Sequence, residues 1–218
     1  MTCRENFLLE DFELFNEPER ILISGFSGSG KSYLTRGIIN RYHNKFDSIV
    51  VYGGPRGFYA NLPDEISQKI VYFDTLIDPF SHIPHDNFHL LYIIDDLQLE
   101  AFSSSDISRA FRTGRHHNLS IILLAQTIFC KATKFREITL NLSALILLKS
   151  RDLSSVELIL RQIFGRTHSK KALEVYKNAM KTSYGHILVD LKLTTPIELM
   201  IRSNILQLQY PYVIVYQI

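Results

Sequence analysis

The eight residues Gly25-Phe26-Ser27-Gly28-Ser29-Gly30-Lys31-Ser32 restrict this chain more than any other stretch. The glycines allow positive φ and let the backbone turn its N–H groups toward one point. An apolar run, Ile21–Ser24, leads in, and Ser32–His43 leads out with Leu34, Ile38 and Ile39 at helical spacing. In a strand, glycine turn and helix so ordered, backbone donors and the positive end of a helix surround a phosphate group. The pattern is G-x-x-x-x-G-K-[ST]. Its chemistry assigns Lys31 to the β- and γ-phosphates and the Ser32 hydroxyl to a magnesium ion, so ATP and Mg²⁺ are the expected ligands. The expected nucleotide contacts are Gly25, Phe26, Ser27, Gly28, Ser29, Gly30, Lys31, Ser32 and the adjoining Tyr33. For Tyr33 a place in the core is the commoner fate, and stacking on adenine the alternative.

Beyond the loop, short apolar runs alternate with helix-length segments. Strands are expected at Ser48–Tyr52, Lys69–Phe73, Leu90–Asp95, Ser120–Ala125, Ala144–Leu148, His186–Leu191 and Tyr212–Tyr216. Helices are expected at Asp106–Thr113, with a serine cap before it and Gly114 after it, and at Ser154–Phe164 and Ser169–Lys181. Gly53-Gly54-Pro55 reads as a turn. The expectation is an α/β fold of the P-loop NTPase type, a doubly wound, mostly parallel sheet with helices on both faces. It is expected as one domain over 1–218: an N-terminal extension at 1–18, a nucleotide-binding core at 19–150, and helices and strands at 151–218 that complete it.

Leu91-Tyr92-Ile93-Ile94-Asp95-Asp96 is an apolar strand ending in two acids. Paired with a phosphate loop, this pattern gives Asp95 to Mg²⁺, directly or through water, and Asp96 to the attacking water as its base. Gln126 closes the run Ile121-Ile122-Leu123-Leu124-Ala125. It faces the γ-phosphate if that strand lies between the loop strand and the Asp95 strand.

Charge does not announce a nucleic-acid partner: 24 Lys and Arg stand against 22 Asp and Glu in 218 residues. Phosphate binding would have to come from a local patch. Lys131, Lys134 and Arg136 form one such group, read either as a solvated face or as a loop that tracks DNA. Cys3 and Cys130 show no spacing pattern and read as reduced thiols. The acidic start (Glu5, Glu10, Asp11, Glu13) lacks the features of a signal peptide, and no apolar run is long enough to span a bilayer. The expectation is a soluble intracellular protein without a membrane partner. His82, His85 and His89 lack supporting Cys or acid spacing and read as a loop rather than a metal cluster.

The order phosphate loop, Ile-Ile-Asp-Asp, Arg-Thr-Gly-Arg-His-His-Asn-Leu-Ser, Leu-Leu-Ala-Gln resembles the FtsK–HerA superfamily of ring-forming, DNA-pumping ATPases. Within it the chain is most similar to the poxvirus-type genome-packaging ATPases shared by large DNA viruses, virophages and Polinton-like elements. Leu148-Lys149-Ser150-Arg151-Asp152-Leu153 and Tyr184-Gly185-His186-Ile187-Leu188-Val189-Asp190-Leu191-Lys192 carry the likeness onward. The family tail often has proline where this chain has Ser150. The resemblance implies the additional-strand type of P-loop fold, with Gln126 on the inserted strand. It also implies a homo-oligomeric ring, hexamer or pentamer, that drives double-stranded DNA into a capsid with a capsid or portal protein as partner. In such a ring one arginine near the Asp96 helix crosses to the neighbour's γ-phosphate. Arg115 is the choice among Arg109, Arg112 and Arg115, and Arg151 is the runner-up. The catalytic set is then Lys31, Asp96, Gln126 and Arg115. A P-loop kinase acting on a small molecule is the rival reading, disfavoured by the paired acids and by the lack of a basic lid. A scaffold that binds ATP without hydrolysis is disfavoured by the intact Lys31, Ser32, Asp95 and Asp96.

Overall fold

Along the phosphate-loop strand apolar side chains alternate in destination, and this alternation fixes the layers. Leu22 joins one buried cluster, while Ile21 and Ile23 join another on the opposite face. The computed structural model describes residues 6–9, 12–207 and 212–218. Cys3, Glu5, Glu10 and Asp11 lie outside the described residues. The strands are β1 (Asn6–Leu9), β2 (Arg20–Ser24), β3 (Ser48–Gly53), β4 (Ile70–Phe73), β5 (Leu90–Asp95), β6 (Leu119–Ala125), β7 (Ala144–Leu148), β8 (His186–Asp190), β9 (Ile201–Ser203) and β10 (Val213–Tyr216). The helices are α1 (Lys31–Tyr42), α2 (Arg56–Ala60), α3 (Asp64–Ser67), α4 (Gln98–Ser103), α5 (Ser105–Thr113), α6 (Phe135–Thr139) and α7 (Leu153–Ala179).

All ten strands form one sheet in the order β1-β10-β9-β8-β7-β2-β6-β5-β3-β4. The stretch from β7 to β4 is parallel, with Ile21 beside Ile122 and Tyr92 beside Ile121. From β8 to β1 the pairing is antiparallel. Strand β6 therefore sits between the phosphate-loop strand and the Asp95 strand, as the resemblance implies. One face is covered by α1, whose Leu34, Ile38 and Ile39 are buried, together with Tyr59 and Ile66 of α2 and α3. The other face carries α4, α5, α6 and α7, through Phe102, Phe111, Ile138 and Leu160. Each such fully buried side chain stabilises the fold by about 1.5–3 kcal/mol relative to exposure. The serine cap holds, since the Ile107 N–H donates to Ser104 Oγ at 3.2 Å.

The helices expected at Ser154–Phe164 and Ser169–Lys181 lie within α7 on either side of Gly165, whose φ of 67° and ψ of −174° are non-helical, so two helical halves meet at a sharp kink on a single glycine. Within the 1–18 segment β1 pairs with β10, and Leu14 and Phe15 are buried, with Phe15 edge-on to Tyr42 and Phe46. Strands β1 and β9 and the short helices α2, α3, α4 and α6 carried too little periodic signal to be read.

Candidate nucleotide site

The chain leaves β2 at Ser24 and passes through a loop tied to both neighbouring strands. The Gly25 N–H donates to Ala125 O at 3.2 Å, at the end of β6, and the Phe26 N–H to Lys149 O at 3.1 Å, just past β7. Gly28 and Gly30 take φ of 80° and 98°. A Cβ on Gly30 would also stand 2.6 Å from the Tyr184 ring, so glycine is required there twice over. Helix α1 starts on Gly30 with no side-chain cap and no acidic residue in its first turn, which leaves its first N–H groups and its positive end for an anion. Lys31 is buried, and its Nζ donates to Gly25 O at 2.8 Å and Phe26 O at 3.2 Å, across the loop's mouth. Ser29 Oγ is buried without a hydrogen-bond partner, an orphan suited to a phosphate oxygen. Burial lowers the Lys31 pKa, and the charges of Asp95 and Asp96 oppose that.

Asp95, at the end of β5, is 1% exposed. Its Oδ2 accepts from Ser32 Oγ at 2.8 Å and from the Tyr59 hydroxyl at 2.8 Å. Two cis ligands of an octahedral Mg²⁺ with bonds of about 2.1 Å stand about 3 Å apart, so Ser32 and Asp95 have the spacing and the hard oxygen donors for one ion. The Gly53-Gly54 turn after β3 makes room for this carboxylate. Both glycines have positive φ, and a Cβ on Gly54 would lie 3.0 Å from Asp95 Oδ2. Burial pushes the Asp95 carboxyl above the usual aspartate range, while the Tyr59 and Ser32 hydrogen bonds work against the rise. A raised folded pKa means that ionising Asp95 costs stability, and the cost arrives as pH climbs through that pKa. Tyr59→Phe removes one opposing bond. It should lower stability by about 1 kcal/mol in denaturant unfolding and move the acid limb of magnesium-dependent turnover to higher pH. A limb that stays in place would detach Tyr59 from the metal ligand.

Asp96 follows with φ of 60° and an exposed side chain, so the two acids part company: one is buried under the loop, the other faces solvent. Gln126 is exposed at the end of β6, next to the start of the phosphate loop, and its N–H donates to Gln98 Oε1 at 2.6 Å. The inserted strand thus brings Gln126, Asp96, Asp95, Lys31 and Ser32 to the same end of the central parallel strands. Gln98, Tyr59 and the Gly53-Gly54 turn were not read from the sequence as site residues.

Tyr33 is not a core residue. It is 54% exposed and stacks on Tyr184 with ring centroids 5.4 Å apart. The two rings border a cavity of about 350 Å³ that runs from Gly30 past His186 and Asn204. Arg151 does not stand apart from its own subunit's loop: its guanidinium lies 5.2 Å from the centre of the Phe26 ring. Arg109 pairs with Asp78 at 2.6 Å and Arg112 with Glu137 at 2.6 Å. Arg115 is exposed in the 3₁₀ turn Gly114–His117 that feeds β6, close enough to Arg20 for the two charges to oppose each other. Arg20 opens β2, so Arg115 lies a strand's length from its own phosphate loop. His82 shares a 2.7 Å hydrogen bond with the Tyr52 hydroxyl, and His85 packs edge-on to Phe88. Among the described residues no three His, Cys, Asp or Glu side chains converge as metal ligands.

A family model described as "Poxvirus A32 protein" matches residues 64–192, more than half of the chain. The chain belongs to the poxvirus A32 protein family. The matched segment of this A32-family chain holds Asp95, Asp96, Arg115, Gln126, Arg151 and Tyr184 and leaves the phosphate loop outside, where the loop geometry speaks for itself. It is a P-loop ATPase of the FtsK–HerA type, with β6 inserted between the loop strand and the acidic strand. Among solved structures it is similar to the genome packaging NTPase B204 from Sulfolobus turreted icosahedral virus 2 in complex with ATP-gammaS. The identity is 20% over 87% of this chain and 97% of that one, with a TM-score of 0.61. The same NTPase with AMPPCP gives 20% over 83% and 96%, TM-score 0.61. The pCW3 conjugation coupling protein TcpA with ATPgS gives 15% over 71% and 54%, TM-score 0.50. At these identities the likeness is one of fold. Comparison with curated proteins gave no match. Among the described residues no helix is long and apolar enough to cross a membrane.

Proposed function

We propose that this chain hydrolyses magnesium-bound ATP at residues 25–33 and uses the energy to drive double-stranded viral DNA into a capsid, working as a homo-oligomeric ring of five or six copies. The observation that carries the catalytic part is the Ser32–Asp95 hydrogen bond at 2.8 Å, which joins the phosphate loop to the acidic strand across the inserted β6. Magnesium held by Ser32 and Asp95 would neutralise phosphate charge. Lys31 turns from the loop carbonyls to the β- and γ-phosphates, while Asp96 takes the proton of the attacking water and Gln126 orients that water. The base lies against Tyr33 and Tyr184. Arg115 serves the neighbouring subunit's site. Family membership and the packaging NTPase among the similar structures support the viral packaging role and a capsid or portal partner.

The test is ATP turnover with and without double-stranded DNA, with particle mass measured in the same solution. Stimulation by DNA in a ring-sized particle is expected. Stimulation by a nucleoside monophosphate instead would mark a kinase. Lys31→Ala should weaken ATP binding by about 10- to 100-fold, the worth of a lost charge-assisted hydrogen bond. Titration giving wild-type affinity would end the phosphate-loop assignment.

A further inference from the structure

The reading above requires a surface for DNA but does not place one. The basic group after Gln126 is a weak candidate, because Lys134 pairs with Glu137 at 3.3 Å, and Glu137 also binds Arg112. Among the described residues Lys45, Arg109, Lys192 and Arg202 are likewise paired with carboxylates. Uncompensated charge collects on α7 instead. After the Gly165 kink, Arg166, Lys170 and Lys177 are exposed on this helix, and Lys181 is exposed just past its end. None of them forms an ion pair with a carboxylate of the described residues.

At 3.6 residues per turn these positions fall within roughly 60° of one another around the helix and span about 22 Å along it. The opposite side of the same helical half is buried through Ala172, Val175 and Tyr176, which fixes the stripe outward. Glu174 stands at its edge and offsets part of the charge. A solvated helix of ordinary composition mixes signs along each face; this one presents a row of cations. A row of four cations over this length can neutralise about four phosphates of a duplex. The four side chains of the row are all cations with no aromatic ring among them, so the row fits a sequence-independent grip on a duplex backbone rather than base reading.

We infer that the Arg166–Lys170–Lys177–Lys181 face of α7 holds the phosphate backbone of double-stranded DNA. The inference rests on the packaging reading and can fail separately from it. The experiment measures binding of the full chain to a short mixed-sequence duplex over a salt series. The variant Arg166→Gln/Lys170→Gln/Lys177→Gln/Lys181→Gln keeps helix propensity. Its slope of log K against log salt should be shallower than wild type by about 3 to 4, since each phosphate contact contributes about 0.9. ATP turnover without DNA should be unchanged, and stimulation by DNA should be lost. A charge-keeping variant (Arg166→Lys, Lys170→Arg, Lys177→Arg, Lys181→Arg) should bind as wild type, which separates lost charge from lost fold. A wild-type slope in the glutamine variant overturns the inference. So does loss of the slope in Lys131→Gln/Lys134→Gln/Arg136→Gln, which would place the contact after Gln126. If the unmodified chain ignores the duplex, the packaging reading falls as well.

Discussion

Subunits carrying Arg115→Ala should bind ATP as wild type and turn it over about 10³–10⁵ times more slowly, the range that arginine fingers supply elsewhere. The reason is placement. Arg115 precedes β6, beside the start of β2, while the phosphate loop follows the far end of β2. No rotamer of an arginine spans that length, so in the ring proposed above its effect on hydrolysis would be exerted on the neighbouring subunit's site. Mixing makes the expectation sharp. Arg115→Ala and Lys31→Ala subunits are each inactive alone, but a mixed assembly contains interfaces with an intact Lys31 site and an intact Arg115. Recovered turnover on mixing is the expected result. Co-assembly without recovery would remove Arg115 from the catalytic set. Arg151 is a poorer substitute than the sequence suggests, because it already stacks on Phe26 of its own loop.

Asp96→Asn should leave magnesium-ATP binding intact and slow single-turnover hydrolysis by about 10²–10⁴, the usual loss with a positioned base. The substitution is well matched to the site. Asp96 sits at φ 60°, a conformation that asparagine tolerates nearly as well as aspartate, so the turn after β5 is kept while the base is lost. Asp95, the proposed metal ligand, is left untouched beneath it. An unchanged single-turnover rate would hand the role of base to another group at the strand ends. Asp96→Ala would be a poorer probe, because alanine strains the same turn.

Much of this site was legible because its chemistry is local in sequence. Gly25–Ser32 is one contiguous stretch, Asp95 and Asp96 end one apolar run, and Gln126 ends another. The order of β2, β6 and β5 followed from the family resemblance and not from periodicity. What the sequence hid depends on contacts between distant segments. Tyr59 reaches Asp95 from 36 residues away, and Tyr184 covers Gly30 from the other end of the chain. Tyr59 has no neighbour that marks it, and the Tyr184–Lys192 stretch carried the family likeness without pointing to the phosphate loop. The Gly53-Gly54 pair did carry a signal, since two glycines closing a buried strand imply close approach by something, but a turn explains them equally well. Tyr33 could be read either way from the sequence, because its neighbours in α1 are core residues; the stack on Tyr184 shows it facing out. The break between the two C-terminal helices was legible, but not that Gly165 alone makes it.

The inserted strand has a mechanical consequence. With β6 between them, the phosphate-loop strand and the acidic strand stand two strand spacings apart, about 9.5 Å, and cannot approach or separate without shearing the middle of the sheet. The loop is further pinned on both flanks, through Gly25 to Ala125 and Phe26 to Lys149. The two halves of the nucleotide site are therefore a fixed anvil. Any displacement that follows the loss of a γ-phosphate has to be expressed outside it, in the segments that border the rings of Tyr33 and Tyr184. A sheet so pinned is a rigid frame, and what can move are the side chains and loops at its rim.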